Sequence, residues 1–211
     1  MPRCEVNDIE LIKYLSRRGY EDDEIKKIYQ NYGIKVCYSG YYKTRLIIPI
    51  HDSQGELVTF EAVHLHPNGL EKDEKKKLYP KGTPRSRLLF NNHRVDSDYV
   101  FLTEGILDAI KLSLFGVPSV AILGSLLSDN QARMLISKFN KVFILFDGDK
   151  AGRDGSYKAQ EKLSPFVDVL NIKLRYGDPN DLKYWEFKEM KDFLIKMGNK
   201  RLENYKWITQ S

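Results

Sequence analysis

Two apolar segments that each end in acidic residues constrain the fold of this chain more than any other feature. Residues 99–103 and 142–146 are predicted to be buried strands, because both are short, apolar and rich in β-branched or aromatic side chains. Glu104 follows the first segment, Asp147 and Asp149 follow the second, and each site contains a glycine before a helical pattern begins. In an open parallel sheet, residues at the carboxyl ends of neighbouring strands share one crevice. The sequence therefore predicts an acidic site at one edge of a parallel sheet.

Four carboxylates are candidates for that site. Asp108 lies one helical turn beyond Glu104 on the same face, and Asp147 and Asp149 are two residues apart on an extended backbone, so that they point the same way. A cluster of carboxylates repels itself unless a hard divalent cation neutralises it, which predicts a magnesium site. For Asp149 a second interpretation stays open, because an aspartate directly before a helix can simply cap its first turn.

The chain after residue 98 alternates strands and helices, which is typical of an α/β fold with a parallel sheet flanked by helices. Further elements are expected as helices at 106–115, 128–139 and 151–163 and as strands at 119–123 and 167–173. Ser128 is the expected cap of the second of these helices. Asp178 and Asp181 follow the last strand and form a third acidic strand end on the same sheet edge.

Residues 1–97 are expected to form a smaller mixed α/β subdomain. Its predicted elements are helices at 8–14 and 21–29 and strands at 45–50 and 56–65. In the first helix, Ile9, Ile12 and Leu15 are the expected buried stripe. His64 and His66 are spaced so that they could face one way, as metal ligands would, but no third nitrogen or sulfur ligand is near in the sequence, which favours a polar strand face.

The cysteine content and hydropathy of the chain exclude several classes of protein. Cys4 and Cys37 are the only cysteines and form no CxxC pair, so the sequence predicts neither a disulfide framework nor a zinc site. There is no apolar run of roughly 18 residues or more, and the chain does not open with a signal peptide. We therefore expect a soluble, cytoplasmic protein with no membrane partner.

The net positive charge of the chain is concentrated in one segment. Between Lys72 and Arg87 there are seven basic residues and two acidic ones, so this segment accounts for the whole net charge of +5. A charge run is often only a solvated loop, and that interpretation stays open. Here, however, Tyr79 and two prolines are interleaved with the cations, which suits a strand of nucleic acid whose phosphates meet the cations and whose base meets the ring.

Two stretches of the sequence resemble a known domain. FLTEGILDAIKLSLFGVPSVAILGSLLSDNQ, which begins at Phe101, and VFILFDGDKAGRDGSYKA, which begins at Val142, are similar to the TOPRIM domain, and within it to the DnaG-type DNA primases of bacteria and phages. The resemblance covers Asp98 to Asp181. The upstream pattern RLIIPIHDSQGELVTFEAV resembles the subdomain that precedes TOPRIM in these primases. The resemblance to these primases implies domains at residues 1–97, 98–183 and 184–211, and the last of these is expected to be a helical cap.

The resemblance assigns roles to residues of this chain. Glu104, Asp147 and Asp149 correspond to the catalytic acids of the family, which bind Mg²⁺ or Mn²⁺ and no zinc. The implied metal ligands are Glu104, Asp108, Asp147, Asp149, Asp178 and Asp181. The family has Asp-Pro-Asp at the third strand end, where this chain has Asp178 and Asn180, so that Asp181 is the candidate substitute. The implied nucleotide- and template-binding residues are Arg45, Lys77, Tyr79, Lys81, Arg85, Arg87, Lys150 and Arg153.

The function that the resemblance implies is the template-directed synthesis of short RNA primers from ribonucleoside triphosphates on single-stranded DNA. The implied partners are a replicative helicase and a separate template-recognition module, in the cytoplasm of a bacterium or a phage-infected cell. A TOPRIM nuclease, or a non-catalytic nucleic-acid-binding replication accessory, stays open as the alternative, because the same acids can hydrolyse the bond that a polymerase makes.

Overall fold

The protein divides into two compact units, Met1–Thr83 and Pro84–Ser211. The structure, a computed structural model, describes residues 8–67 and 74–174, together with 177, 179–184, 186–189 and 192. The division falls earlier than the predicted boundary between residues 97 and 98. The reason is a short strand at Leu89–Phe90, which pairs with a strand of the second unit's sheet and so belongs to that unit.

In its described residues, 8–67 and 74–83, the first unit contains two α-helices and a four-stranded antiparallel sheet. The helices are α1 (Asp8–Arg17) and α2 (Asp22–Tyr32), and the strands, in the order in which they pair, are β1 (Lys35–Cys37), β2 (Arg45–His51), β3 (Leu57–His64) and β4 (Lys77–Leu78). The predicted hairpin at 45–65 is confirmed, because β2 and β3 pair in antiparallel register along their length.

The buried face of α1 differs from the predicted stripe. Leu11, Tyr14 and Leu15 are buried, whereas Ile9 is 61% exposed and Ile12 is also exposed. The prediction was wrong for both isoleucines, because a helix of this length can bury either of two rows of apolar residues spaced three and four apart. Which row is buried depends on what the helix packs against, and that information is not local to the helix.

The second unit is built on a five-stranded sheet in the order β5-β7-β6-β8-β9. Its strands are β5 (Leu89–Phe90), β6 (Tyr99–Thr103), β7 (Ser119–Ile122), β8 (Lys141–Leu145) and β9 (Asp168–Ile172). Its helices are α3 (Ile106–Leu114), α4 (Asp129–Lys138) and α5 (Lys150–Leu163). All strands except β5 are parallel, as predicted. Of the predicted cap at 184–211, residues 184, 186–189 and 192 are helical, and the rest lies outside the described residues.

Both faces of this sheet are covered by apolar side chains. On one face, Leu102 and Ile144 belong to a core cluster that includes residues of α4 and α5. On the other face, the rings of Phe101 and Phe143 stack at 4.7 Å, and Phe187 meets Phe101 edge-on at 5.3 Å. Strands that are buried on both faces are apolar at every position, which explains the continuous apolar segments in the sequence. Within the described part of the chain, none of the helices has the length and apolar character needed to cross a membrane.

Candidate metal and nucleic-acid site

The acidic strand ends lie at one edge of the sheet of the second unit. β8 pairs in parallel with β6 on one side and with β9 on the other, so the chain leaves all three strands at the same edge. Glu104 directly follows β6, and Asp147 and Asp149 follow β8. Glu104 and Asp147 are half-buried and Asp149 is exposed. The predicted arrangement of acids at neighbouring strand ends is therefore present in the fold.

The loop between β6 and α3 encloses a buried carboxylate. Asp108 is buried in the first turn of α3, and a Cβ atom added at Gly105 would lie 2.3 Å from Asp108 Oδ2. Thr103 supports the same loop, because its hydroxyl donates to the carbonyl oxygen of Gly105 at 3.0 Å. A larger residue at position 105 would therefore displace this carboxylate from its position. The glycine therefore creates the space that Asp108 occupies.

The loop between β8 and α5 is held by its own hydrogen bonds. Asp149 caps α5, since its Oδ1 accepts the backbone N–H of Gly152 at 2.7 Å. The side chain of Arg153 donates to the carbonyl oxygen of Gly148, so this predicted template-binding residue also fixes the loop. Asp149 can serve both as a helix cap and as a metal ligand, because capping uses Oδ1 and a carboxylate has a second oxygen. Lys150, the first residue of α5, is exposed.

The third acidic strand end is joined to the second. The backbone N–H of Gly148 donates to the carbonyl oxygen of Gly177 at 2.8 Å. Gly177 has a φ of +80°, and a Cβ atom at this position would lie 2.6 Å from Asp181 Oδ2. The carboxylate of Asp181 therefore lies against the backbone of Gly177. The predicted ligand Asp178 lies outside the described residues, and so does the side chain of Asn180.

The predicted ligands carry donor atoms of the type that a divalent cation binds, although those that the structure describes are not arranged as a complete ligand set. Carboxylate oxygens are the ligands that Mg²⁺ and Mn²⁺ take from proteins, and Gly105 leaves room for one of them. Among the described residues, no group of three or more His, Cys, Asp or Glu side chains is arranged so that it could hold a metal ion. His64 is buried and its Nδ1 accepts the backbone N–H of His66 at 3.1 Å, so this ring nitrogen is already used within the fold.

Arg45, a predicted nucleotide contact, lies in the interior of the first unit. Its guanidinium group donates to the carbonyl oxygens of Lys75 at 2.9 Å and Lys76 at 3.4 Å. Burial lowers the pKa of Arg45, while Glu74 acts in the opposite direction. This geometry gives Arg45 a structural role, because it holds the backbone of the basic segment against the start of β2.

Tyr79 and Lys77, two further predicted contacts, are anchored to a buried acid. The hydroxyl of the half-buried Tyr79 donates to Glu61 Oε2, and Lys77 Nζ lies 4.0 Å from Glu61 Oε1. Glu61 is a residue of β3 with 2% exposure. Lys81, by contrast, is an exposed residue in the turn after β4. Lys72, the first residue of the predicted basic segment, lies outside the described residues.

Arg85 and Arg87 begin the second unit on a single turn of 3-10 helix, and α4 fixes that turn. Gln131 is buried, and its Nε2 donates to the carbonyl oxygens of Arg85 at 3.1 Å and Leu88 at 2.8 Å. The hydroxyl of Ser128 donates to the carbonyl oxygen of Ser86 at 2.6 Å. Sequence reasoning identified Ser128 only as a cap and missed Gln131. The pattern Ser-x-x-Gln indicates a capping box, but it does not reveal these distant partners.

The fold and the site define the class of protein. Residues 101–183 match the family model described as Toprim-like. This range contains the last three residues of β6, all of β7, β8 and β9, and every predicted metal ligand of the second unit. This part of the second unit is therefore similar to TOPRIM domains.

Comparison of the whole chain extends the resemblance beyond that domain. The chain is 29% identical over 182 residues to a DNA primase of Clostridium acetobutylicum, which covers 82% of this chain and 30% of that protein. It is 33% identical over 151 residues to a DNA primase of a Synechocystis species, which covers 65% of this chain and 23% of that protein. The chain thus spans a third or less of the length of these relatives.

Solved structures give the same result for the fold. The structure of the DnaG primase catalytic domain bound to single-stranded DNA matches 89% of this chain and 71% of that chain, with a TM-score of 0.67 and 21% identity. At this identity the match is evidence for the fold. Together with the sequence relatives, it shows that this chain is similar to TOPRIM proteins and to the catalytic core of DnaG-type DNA primases.

Proposed function

We propose that this chain is the catalytic core of a DNA primase, which synthesises short RNA primers on single-stranded DNA. The observation that carries the proposal is the extent of the resemblance: it includes the first unit with its hairpin and basic segment, and not the TOPRIM domain alone. At the level of the family, this similarity implies a nucleotidyltransferase. A nuclease that shares only the TOPRIM domain would leave the similarity of the first unit unexplained.

The residues divide into two groups by role. A divalent cation would be held by Glu104, Asp147 and Asp149. A second cation would be held, or the first one ordered, by Asp108, Asp178 and Asp181. When bound, the cation supplies Lewis-acid stabilisation of the charge that develops on the reacting phosphate. The exposed cations Lys81, Arg85, Arg87 and Lys150 would neutralise the triphosphate and the template backbone.

The proposed partners follow from the same resemblance. Single-stranded DNA is the template, and its presence in the solved structure of the similar DnaG domain supports this assignment. Ribonucleoside triphosphates are the substrates. A replicative helicase and a separate template-recognition module are the proposed protein partners.

One assay separates this function from its alternatives. The chain is incubated with labelled ribonucleotides, single-stranded DNA and Mg²⁺, and the products are resolved by length. Short labelled RNA products support a primase, whereas shortening of the DNA without incorporation indicates a TOPRIM nuclease. If the chain binds DNA but does neither, it is a non-catalytic accessory protein.

Single substitutions of the acids test the proposed site. Glu104→Gln or Asp149→Asn should reduce nucleotide incorporation by about 100-fold or more, since removal of a group that merely supports a metal ligand commonly costs about 10- to 100-fold. The thermal midpoint without metal should stay the same or rise, because each change removes one of several like charges. Asparagine also retains the capping oxygen at position 149.

The matched control is Asp154→Asn, which makes the same chemical change at an exposed position of α5. This variant should incorporate nucleotides as well as the unsubstituted chain does. Synthesis near the normal rate by the Glu104→Gln protein would contradict the proposed role of the acidic site.

A further inference from the structure

The turn between β1 and β2 presents an aromatic ring to solvent. Tyr41 lies on this turn and is 77% exposed. Its ring meets the ring of Tyr42 edge-on at 4.9 Å, and Tyr42 in turn meets the buried Phe60 at 5.0 Å. Edge-to-face contacts of this kind favour one relative orientation of the rings. The ring of Tyr41 is therefore exposed to solvent and at the same time held in orientation by its contact with Tyr42.

The backbone of the turn is equally defined. The N–H of Lys43 donates to the carbonyl oxygen of Gly40 at 3.1 Å, and the N–H of Thr44 donates to that of Cys37 at 2.8 Å. Thr44 has a φ of +59°, a conformation that is unfavourable for a β-branched residue and persists only where the surroundings impose it. The exposure of Tyr41 is thus a consequence of a fixed turn.

The charges around this turn are mainly positive. β1 ends, β2 begins, β3 ends and β4 begins at the same end of the sheet, as the strand register shows. Arg45 at the start of β2 donates to the carbonyl oxygens of Lys75 and Lys76, which places these two residues at that end. Lys43, Lys75 and Lys76 are exposed there, and Glu74, which lies 3.8 Å from His64, is an acid at the same end.

We propose that Tyr41 is a stacking platform for one base of a single-stranded nucleic acid, with Lys43, Lys75 and Lys76 meeting the neighbouring phosphates. An exposed ring among cations matches the combination of aromatic and basic residues by which proteins bind single strands without reading their sequence. An apolar protein partner would require apolar neighbours around the ring instead. The inference deepens the proposed function and rests on it, because the occupant is the proposed template strand.

This assignment replaces Tyr79 as the stacking residue. Tyr79 is half-buried and its hydroxyl is bound to Glu61, so its ring serves the fold of the first unit. Tyr41 has the exposure that a base needs in order to lie on the ring.

The test measures binding of labelled single-stranded DNA to the full chain over a range of salt concentrations. Tyr41→Ala should weaken binding about 5- to 150-fold, the range expected for the loss of one base–aromatic stack, and should leave the slope of log affinity against log salt unchanged. Tyr41→Phe should bind as the unsubstituted chain does, because stacking needs the ring and not the hydroxyl. Phe166→Ala, which removes a 67% exposed ring from the other unit, is the control and should have no effect.

A second measurement reports directly on stacking. The emission of a Tyr41→Trp protein, after subtraction of the unsubstituted chain, should be quenched when the oligonucleotide binds, and that of Phe166→Trp should not. If the unsubstituted chain binds DNA while Tyr41→Ala binds equally well and Tyr41→Trp is not quenched, the inference is overturned and the proposed function stands. If the unsubstituted chain does not bind single-stranded DNA at all, the proposed function fails and this inference fails with it.

Discussion

At the scale of single residues, the pair Glu61 and Tyr79 shows how one buried charge can determine the role of its neighbours. A carboxylate that is removed from water needs compensating partners, and Glu61 accepts a hydrogen bond from the hydroxyl of Tyr79 while the ammonium group of Lys77 lies 4.0 Å away. The two residues that a sequence pattern assigns to nucleic acid therefore also connect β4 and the following loop to β3. Their substitution should therefore affect the stability of the first unit.

Tyr79→Phe should lower the free energy of unfolding by about 1–3 kcal/mol, because a buried acceptor loses its donor while the ring is retained. Chemical denaturation monitored by circular dichroism measures this change. Tyr41→Phe is the matched control, since it removes a hydroxyl from an exposed ring and should not alter stability. Equal stability of the two variants would show that the bond between Tyr79 and Glu61 contributes nothing to the fold.

At the scale of secondary-structure elements, helix termini position the loops of the second unit. The N-terminus of α4 is a capping box in which Gln131 Oε1 accepts the backbone N–H of Ser128 at 3.0 Å. The other end of the same amide group holds the turn that carries Arg85 and Arg87. One side chain thus couples the start of a helix to two of the proposed template-binding cations.

Gln131→Glu separates these two functions. Glutamate retains the oxygen that caps α4 but directs a carboxylate at the carbonyl oxygens of Arg85 and Leu88, so we expect a loss of about 1–3 kcal/mol in stability and weaker binding of single-stranded DNA. Asn130→Asp introduces the same charge in the same turn of α4 and is the control. If both variants bind DNA equally well, Gln131 does not position the arginines.

The loop between β6 and α3 gives a second prediction at this scale. Gly105→Ala would place a methyl group 2.3 Å from Asp108 Oδ2, so the carboxylate has to move. Nucleotide incorporation should fall by about 10-fold or more, as for other changes that displace a metal-site residue without removing it. Gly124→Ala is the control, because no atom lies within 4 Å of the Cβ that it adds. Comparable losses in both variants would contradict a specific role for the space at Gly105.

At the scale of the whole molecule, the location of the charge matters more than its total. The net charge of +5 equals the surplus of the segment from Lys72 to Arg87, and this segment contributes residues to both units. Contacts between cations and phosphates release counterions, so their number appears in the salt dependence of binding.

Replacing Lys81, Arg85 and Arg87 together by alanine should lower the slope of log affinity against log salt by about 2, at about 0.7 per lost contact. The stability of the fold should change little, because exposed charges contribute little to it. A variant with alanine at Lys26, Lys27 and Lys158, which are exposed residues of α2 and α5, has the same net charge and is the control. An unchanged slope in the first variant would indicate that the basic segment is a solvated loop.

The sequence by itself determined the features whose causes are local. Alternating strands and helices predict the parallel sheet, a glycine beside acidic residues predicts where the strand ends, and Ser128 predicts the start of α4; all three are confirmed. Each depends on residues within a few positions of one another, because helix periodicity, capping and strand apolarity are short-range properties of the backbone.

The tertiary structure decided everything that depends on partners distant in the sequence. Arg45 is 30 residues from Lys75, Gln131 is 46 from Arg85, and Tyr79 is 18 from Glu61. The pairing of β5 with β7, which moved the boundary between the units, is likewise not encoded in its own two residues. A side chain's type limits which bonds it can make, but the topology of the chain decides which donors and acceptors it meets. For this reason the acidic strand ends were predictable, whereas the contacts of Arg45, Tyr79 and Gln131 within the fold were not.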